Sequence, residues 1–261
     1  MSHLEPIVLL EIQSGVATLT LNRPQARNAL STELMIDLEK GLAAIARDSA
    51  IKVVVLAANG PAFCAGHDVR EMAGLDGRDQ VAALFAQCAK VMTAIVRLPQ
   101  PVIAKVHGMA SAAGCQLVAS CDLAYASTEA RFATPGVNIG LFCSTPMVPL
   151  SRNVSSKHAM EMLLCGQPIN AQTAEAYGLI NRAFSPEQLG AEVQMVAETI
   201  AAKSGYVVKV GKAAFHHQRE MGLDEAYAYA SDVMTANMLA ADAAEGLSAF
   251  LEKRSPIWRG C

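Results

Sequence analysis

The sequence predicts an α/β core of about 150 residues followed by an α-helical C-terminal part, on three observations. Short apolar runs of strand type alternate with small-residue turns and helical patterns between residues 53 and 133. Beyond Pro149 the apolar periodicity becomes almost wholly helical. No stretch is long or polar enough to separate two independent units, and 261 residues, 52% of them hydrophobic, suit one large core or one and a half.

The elements can be justified in order. Ile7, Leu9 and the run Val16–Leu21 flank Gln13-Ser14-Gly15, a β-hairpin pattern that Asn22-Arg23-Pro24 terminates. Ser31 is placed to cap a helix with Glu33 in its first turn, and Leu34, Leu38, Leu42 and Ile45 mark one buried face of it. Residues 53–57 form a continuous apolar strand closed by Asn59-Gly60-Pro61, and a loop over 62–66 leads to a short helix near 68–73. A longer helix over about 80–98 is stopped by Pro99 and Pro101. Val102–Val106 is the next strand, followed by a Gly/Ala turn and a helix starting near Cys115, with short strands again at 123–126 and 132–133. Asn170 caps a helix that ends at Gly178, and long helical patterns cover about 187–203 and 223–252.

Composition excludes several functions. Twenty-one Lys and Arg against 24 Asp and Glu leave a net charge of −3, so no basic excess is available to replace phosphate counterions, and nucleic acid is not an expected partner. No uninterrupted apolar run approaches the roughly 18 residues of a membrane span, and no membrane association is expected. The start, MSHLEPIVLLEI, has neither a signal-peptide pattern nor the Arg-rich character of a transit peptide. Seven cysteines lack any CxxC spacing and suit a reducing compartment, so a cytoplasmic setting is expected. Only 17% of residues are charged, which suggests that other subunits cover part of the surface.

Common catalytic signatures fail. Gly205 to Lys212 has five residues between its glycines where a P-loop has four, and Ala213 lacks the metal-binding hydroxyl. GxSxG is absent. His216 and His217 are adjacent, about 100° apart on a helix, and cannot present both rings to one metal; no metal site is expected. Two Gly/Ala segments remain, Phe63-Cys64-Ala65-Gly66-His67-Asp68 and the run from His107 to Gln116. Each is a turn between a strand and a helix start, where N–H groups lie unpaired. Facing one another, two such turns would aim two N–H donors at one oxygen, which is an oxyanion hole. On composition alone, tight strand–helix packing is the plainer account of the same small residues.

Five stretches then stand in order: LNRPQARNAL at 21–30, AFCAGHDVREM at 62–72, AKVHGMASAAGCQLVASCDLAYAS at 104–127, FATPGVNIGL at 132–141 and EGLSAFLEKRSPIW at 245–258. On these the whole chain resembles the enoyl-CoA hydratase/isomerase (crotonase) family. The resemblance implies an α/β fold, a crotonase-like spiral of ββα repeats over residues 1–200, with a C-terminal α-helical trimerisation region over 201–261. It implies a nominal hydratase (a lyase) or isomerase in fatty-acid or related acyl-CoA metabolism. The substrate would be an acyl-CoA thioester, with no cofactor beyond the coenzyme A it carries, and the assembly a homotrimer or dimer of trimers.

The resemblance also implies roles by position. His67 and Ala113 would give backbone N–H groups to the thioester oxygen and stabilise its enolate. Ala26, Arg27, Ala65, Asp68, Val69 and Arg70 match the stretches that line the coenzyme A site. Phe250 and Lys253 match the C-terminal helix pair that reaches the nucleotide end, in several members from the neighbouring subunit. The pattern breaks at two positions where the family has catalytic glutamates, here Gln116 and Gly136. Glutamine can hold a water but cannot take its proton, and glycine offers no side chain. Hydration is therefore expected to be weak or replaced, and a non-catalytic acyl-CoA binder is the alternative. Cys143, in the loop with Ser144 and Thr145 that approaches the acyl end, is a candidate for catalysis, though the sequence names no cation to lower its pKa; the His67 side chain beside the oxyanion turn and His107, whose strand context favours the core, are the others.

Overall fold

The computed structural model describes residues 6–261. The chain opens with an antiparallel hairpin of β1 (Val8–Gln13) and β2 (Val16–Leu21), in register Gln13↔Val16. Ser14 and Gly15 both take positive φ, 50° and 79°, as a two-residue turn of this hand requires. Helix α1 (Thr32–Arg47) follows, its N-terminus capped by Ser31, whose hydroxyl accepts from the Leu34 N–H at 3.2 Å. Leu34, Met35, Leu38, Leu42 and Ile45 are buried along one face, each contributing about 1.5–3 kcal/mol of apolar burial.

Three repeats then wind in the same sense. The first is β3 (Val53–Ala58), β4 (Ala62–Cys64) and helices α2 (Val69–Ala73) and α3 (Gly77–Arg97); the second is β5 (Val102–Val106), β6 (Met109–Ser111) and α4 (Ala113–Ser120). The third is β7 (Leu123–Ser127), β8 (Arg131–Ala133) and a 3₁₀ turn, Pro135–Ile139, before α5 (Met147–Asn153) and α6 (Ser156–Cys165). Each repeat gives its first strand to a six-stranded sheet and its second to a four-stranded one. Strands β2, β3, β5 and β7 pair in parallel in the first sheet, and β4, β6 and β8 in the second. The successive strand-to-helix junctions, near residues 66, 112 and 136, are thereby stacked beside one another.

The remainder is β9 (Ile169–Asn170), α7 (Ala171–Tyr177), β10 (Arg182–Phe184), α8 (Pro186–Ala201), α9 (Gly205–Gln218), α10 (Leu223–Met238) and α11 (Ala241–Leu251). The main core lies between the sheets and α1, α3 and α4. A smaller one lies between Val16, Val53, Val55 and Ile103 and the α8 face of Leu189, Val193 and Ala197. Both faces of β3 are thus covered, which is why its sequence is a continuous apolar run.

Several expectations need correction. The part after Pro149 is not wholly helical, because β9 pairs with β8 and β10 adds an edge to the large sheet beside β7. The expected loop over 62–66 holds β4, and the Gly/Ala turn holds β6. These strands have two or three residues and are stabilised by distant partners, so they leave no local pattern. Helix α4 starts at Ala113 rather than near Cys115. The pattern over 223–252 is two helices, and α9 stands before them. Helix α3 has 21 residues, and an 18-residue window of it has a mean hydropathy of 1.2, long and apolar enough by composition to cross a membrane although polar residues interrupt it. Its Leu84, Cys88, Val91, Met92 and Ile95 are buried in the core, which accounts for that composition. His216 is not simply solvated, since its Nε2 lies 3.4 Å from the Asp122 carboxylate that also holds Lys212 at 2.6 Å.

Candidate active site

The first junction is stitched to the 27–30 segment. Ala65 N–H donates to Arg27 O at 3.0 Å, Leu30 N–H to Gly66 O at 2.7 Å and Asp68 N–H to Leu30 O at 3.1 Å. Among the described residues the His67 N–H, between these, meets no acceptor. Asn28, fully buried with φ 53°, fixes that segment: its side-chain amide donates to Asn59 O and Ala62 O, and its Oδ1 accepts from Arg23 N–H. Asn is among the residues that tolerate this backbone region, so LNRPQARN carried a sign of Asn28's scaffold role that sequence reading passed over.

The second junction places Ala112 at φ 48°, ψ −113°, a conformation that a residue with a Cβ rarely takes. Ala112 N–H is held by Ala133 O at 2.9 Å, and Ala113 opens α4 with its own N–H unpaired among the described residues. Two glycines bring the junctions together. A Cβ on Gly66 (φ 100°) would stand 3.0 Å from Ala112 Cβ and 3.6 Å from Ala113 N. A Cβ on Gly114 would stand 2.2 Å from Cys64 O, so only glycine permits the seating of α4 on β4. The fold therefore brings His67 and Ala113 side by side, each with a free backbone donor.

At the positions of the family glutamates the structure is closed. Gln116 is 4% exposed; its Oε1 lies 3.7 Å from Cys88 Sγ on α3, and its amide nitrogen has no protein partner. Gly136 is buried, its N–H donates to Cys143 Sγ at 3.4 Å, and its O accepts from Leu141 N–H at 2.9 Å. A Cβ there would stand 2.6 Å from Leu141 O and 2.9 Å from Cys143 Sγ. The thiol thus fills the space beside the 136 backbone. Burial pushes the Cys143 pKa up, against a smaller opposing effect of the Gly136 N–H, which favours the protonated thiol. Cys88 and Cys115 are pushed up to about 12 by burial.

The coenzyme A residues named from the resemblance gather on one cleft of about 920 Å³: Ala26, Arg27, Ala65, Asp68, Val69 and Arg70 all line it. Asp68 is not a free ligand group. Its carboxylate caps α2 through the Arg70 and Glu71 N–H groups and pairs with Arg23 at 2.9 Å. Burial raises its pKa, but the Arg23 hydrogen bond and charge and the capping N–H groups outweigh this and hold it below the usual range. Arg23, which also lines the cleft, was missed because its partner lies 45 residues away. Phe250 is 81% exposed and Lys253 is exposed beyond α11; neither lines this cleft.

The enoyl-CoA hydratase/isomerase family profile matches residues 11–261. A Xenopus laevis protein named enoyl-CoA hydratase domain-containing protein 3, mitochondrial, is 45% identical over 259 residues, covering 98% of this chain and 88% of that one. The crystal structure of an enoyl-CoA hydratase from Mycobacterium smegmatis superposes with a TM-score of 0.95 at 52% identity, covering 97% of this chain and 99% of that one. That of human enoyl-CoA hydratase domain-containing protein 3 gives 0.94 at 44%, covering 97% and 100%. The rat and human relatives of that name are likewise called mitochondrial, which overturns the cytoplasmic expectation. Cysteine spacing reports redox state and carries no address.

Proposed function

This chain belongs to the enoyl-CoA hydratase/isomerase family, and on that footing we propose that it binds an acyl-CoA thioester and polarises the thioester carbonyl with the backbone N–H groups of His67 and Ala113. The observation that carries this reading is the pair of unpaired donors brought together across Gly66. Negative charge developing on the thioester oxygen meets two prepositioned dipoles, each worth about 10²–10³ in rate. Arg27 and Arg70 give the cleft cationic groups suited to the coenzyme A phosphates. Phe250 and Lys253 would complete the nucleotide end of a neighbouring subunit's cleft in a homotrimer or dimer of trimers. The exposed apolar residues of the C-terminal helices, among them Leu223, Tyr227, Met234 and Phe250, support such an assembly.

Efficient hydration is not part of the proposal. Water addition needs one group to take a proton and another to deliver one, and positioned acid–base groups contribute about 10²–10⁴-fold. Gln116 has no acidic proton chemistry, and Gly136 is closed in by Leu141 and Cys143. That closure favours a second reading, an acyl-CoA binder without turnover. Calorimetric binding of crotonyl-CoA, followed by its hydration on the same sample, separates the cases. Binding with hydration at least about 10²-fold below that of a family member holding both carboxylates is expected. Absence of binding would overturn the proposal.

A further inference from the structure

The His67 imidazole is the group beside the two donors that the scaffold leaves unexplained. It belongs to the residue proposed to supply the first N–H, and that residue is among those lining the cleft. Its Nε2 is shut off from solvent with no hydrogen-bond partner, an arrangement that is costly and rare without a reason. The ring stands edge-to-face on Phe85 of α3, centroids 5.4 Å apart at 83°. One turn further along α3, Cys88 meets Gln116, so a single face of α3 spans from the imidazole to the first glutamate position. Nδ1 has no protein partner and is not shut off as Nε2 is. A proton on Nε2 leaves the Nδ1 lone pair free.

The other titratable groups nearby are occupied. Glu71 on α2 is the charged side chain whose field reaches the ring, and its carboxylate accepts from the Thr32 N–H and hydroxyl. Asp68 is taken by Arg23 and the α2 N-terminus, and Phe85 brings no charge from α3. Burial lowers the imidazole pKa by more than Glu71 raises it, so the ring is neutral, the form that accepts a proton.

Resting on the acyl-CoA reading above, we infer that His67 is a catalytic base acting through Nδ1: it removes a proton from the acyl α-carbon and returns it to the same enolate. The α C–H bond breaks, its electron pair moves into the enolate held by the His67 and Ala113 N–H groups, and the proton resides on the imidazole. Return of a proton to carbon restores the thioester and the neutral ring. The cycle needs no carboxylate, no water addition and no redox partner. One base serves both directions, which fits a site whose two acid positions are gone.

The test is α-proton exchange of butyryl-CoA in D₂O, followed by NMR, with binding measured calorimetrically on the full chain. Wild-type protein should exchange the α-protons, more slowly as the pH falls, with a midpoint below the ordinary histidine value of 6.5. His67→Gln and His67→Ala should each lose about 100-fold or more in exchange while binding stays within threefold and the pH inflection disappears. Two variants guard against a folding defect in either, with unfolding temperature as the check. Exchange retained within threefold in a folded variant would overturn the inference, as would loss of exchange and binding in equal measure. Wild-type binding without exchange would overturn it and leave the acyl-CoA reading standing; absence of binding would remove that reading itself.

Discussion

The junctions after β4 and β6 and the junction after β8 occupy the same place in successive repeats, yet they are finished in opposite ways. At the first two, the His67 and Ala113 N–H groups meet no acceptor among the described residues, and Ala112 is held in a strained conformation beside them. At the third, the Gly136 N–H is directed to Cys143 Sγ, and Leu141 closes over the glycine. On the proposed reading, the contrast separates the carbonyl-polarising part of the site, where donors are left unpaired, from the position of the second family glutamate at 136, which is filled in.

The contrast can be broken most severely at Gly114. Gly114→Ala sets a methyl 2.2 Å from Cys64 O and must push α4 off β4, with an expected loss of about 3 kcal/mol or more in denaturant unfolding together with acyl-CoA binding. Near-normal stability would mean the two junctions are not held as described. Gly136→Ala meets Leu141 O and Cys143 Sγ, so about 1–3 kcal/mol should be lost, part of it recovered when Cys143→Ala is added. For the same reason Gly136→Glu, alone or with Gln116→Glu, should create no crotonyl-CoA hydration; a clear gain would show that the third junction can still take an acid.

Two smaller effects sharpen the comparison. Ala112→Gly relieves the positive φ and should stabilise the chain by up to about 1 kcal/mol without loss of binding. A destabilised variant would show that Ala112 is not strained. His67 gives a pH signature. Its folded pKa lies below the unfolded 6.5, so as pH falls the unfolded chain takes up the proton first and the folded state loses stability through that range. Above 6.5 the effect vanishes. His67→Ala should lack this component when unfolding free energies are compared from pH 7 downward, and an unchanged slope would place the ring in solvent.

What could be read from the sequence was what is local. The Ser31 cap, the apolar face of α1, the Asn170 cap and the Gly178 terminus each depend on residues within one or two turns, and each stands where its pattern indicates. Strands β4, β6, β9 and β10 depend on pairing with distant strands, and α9 buries no residue fully, so neither left a pattern that the sequence reading picked out. The site divides likewise. Gly66, His67, Ala113 and Gly114 announce themselves as small-residue turns before helices. The Arg23–Asp68 pair, the Phe85 contact to His67 and the closure of Gly136 by Cys143 join segments that only the fold brings together.

The most direct measurement of the central claim is the infrared carbonyl stretch of butyryl-CoA, ¹³C-labelled at the thioester and bound to the protein. Two backbone donors converging on the oxygen should lower the stretching frequency relative to the free ligand, and His67→Ala should preserve that shift because the donor is the backbone. A bound thioester whose carbonyl band coincides with that of the free ligand would contradict the account, since the free N–H groups of His67 and Ala113 would then serve no oxygen.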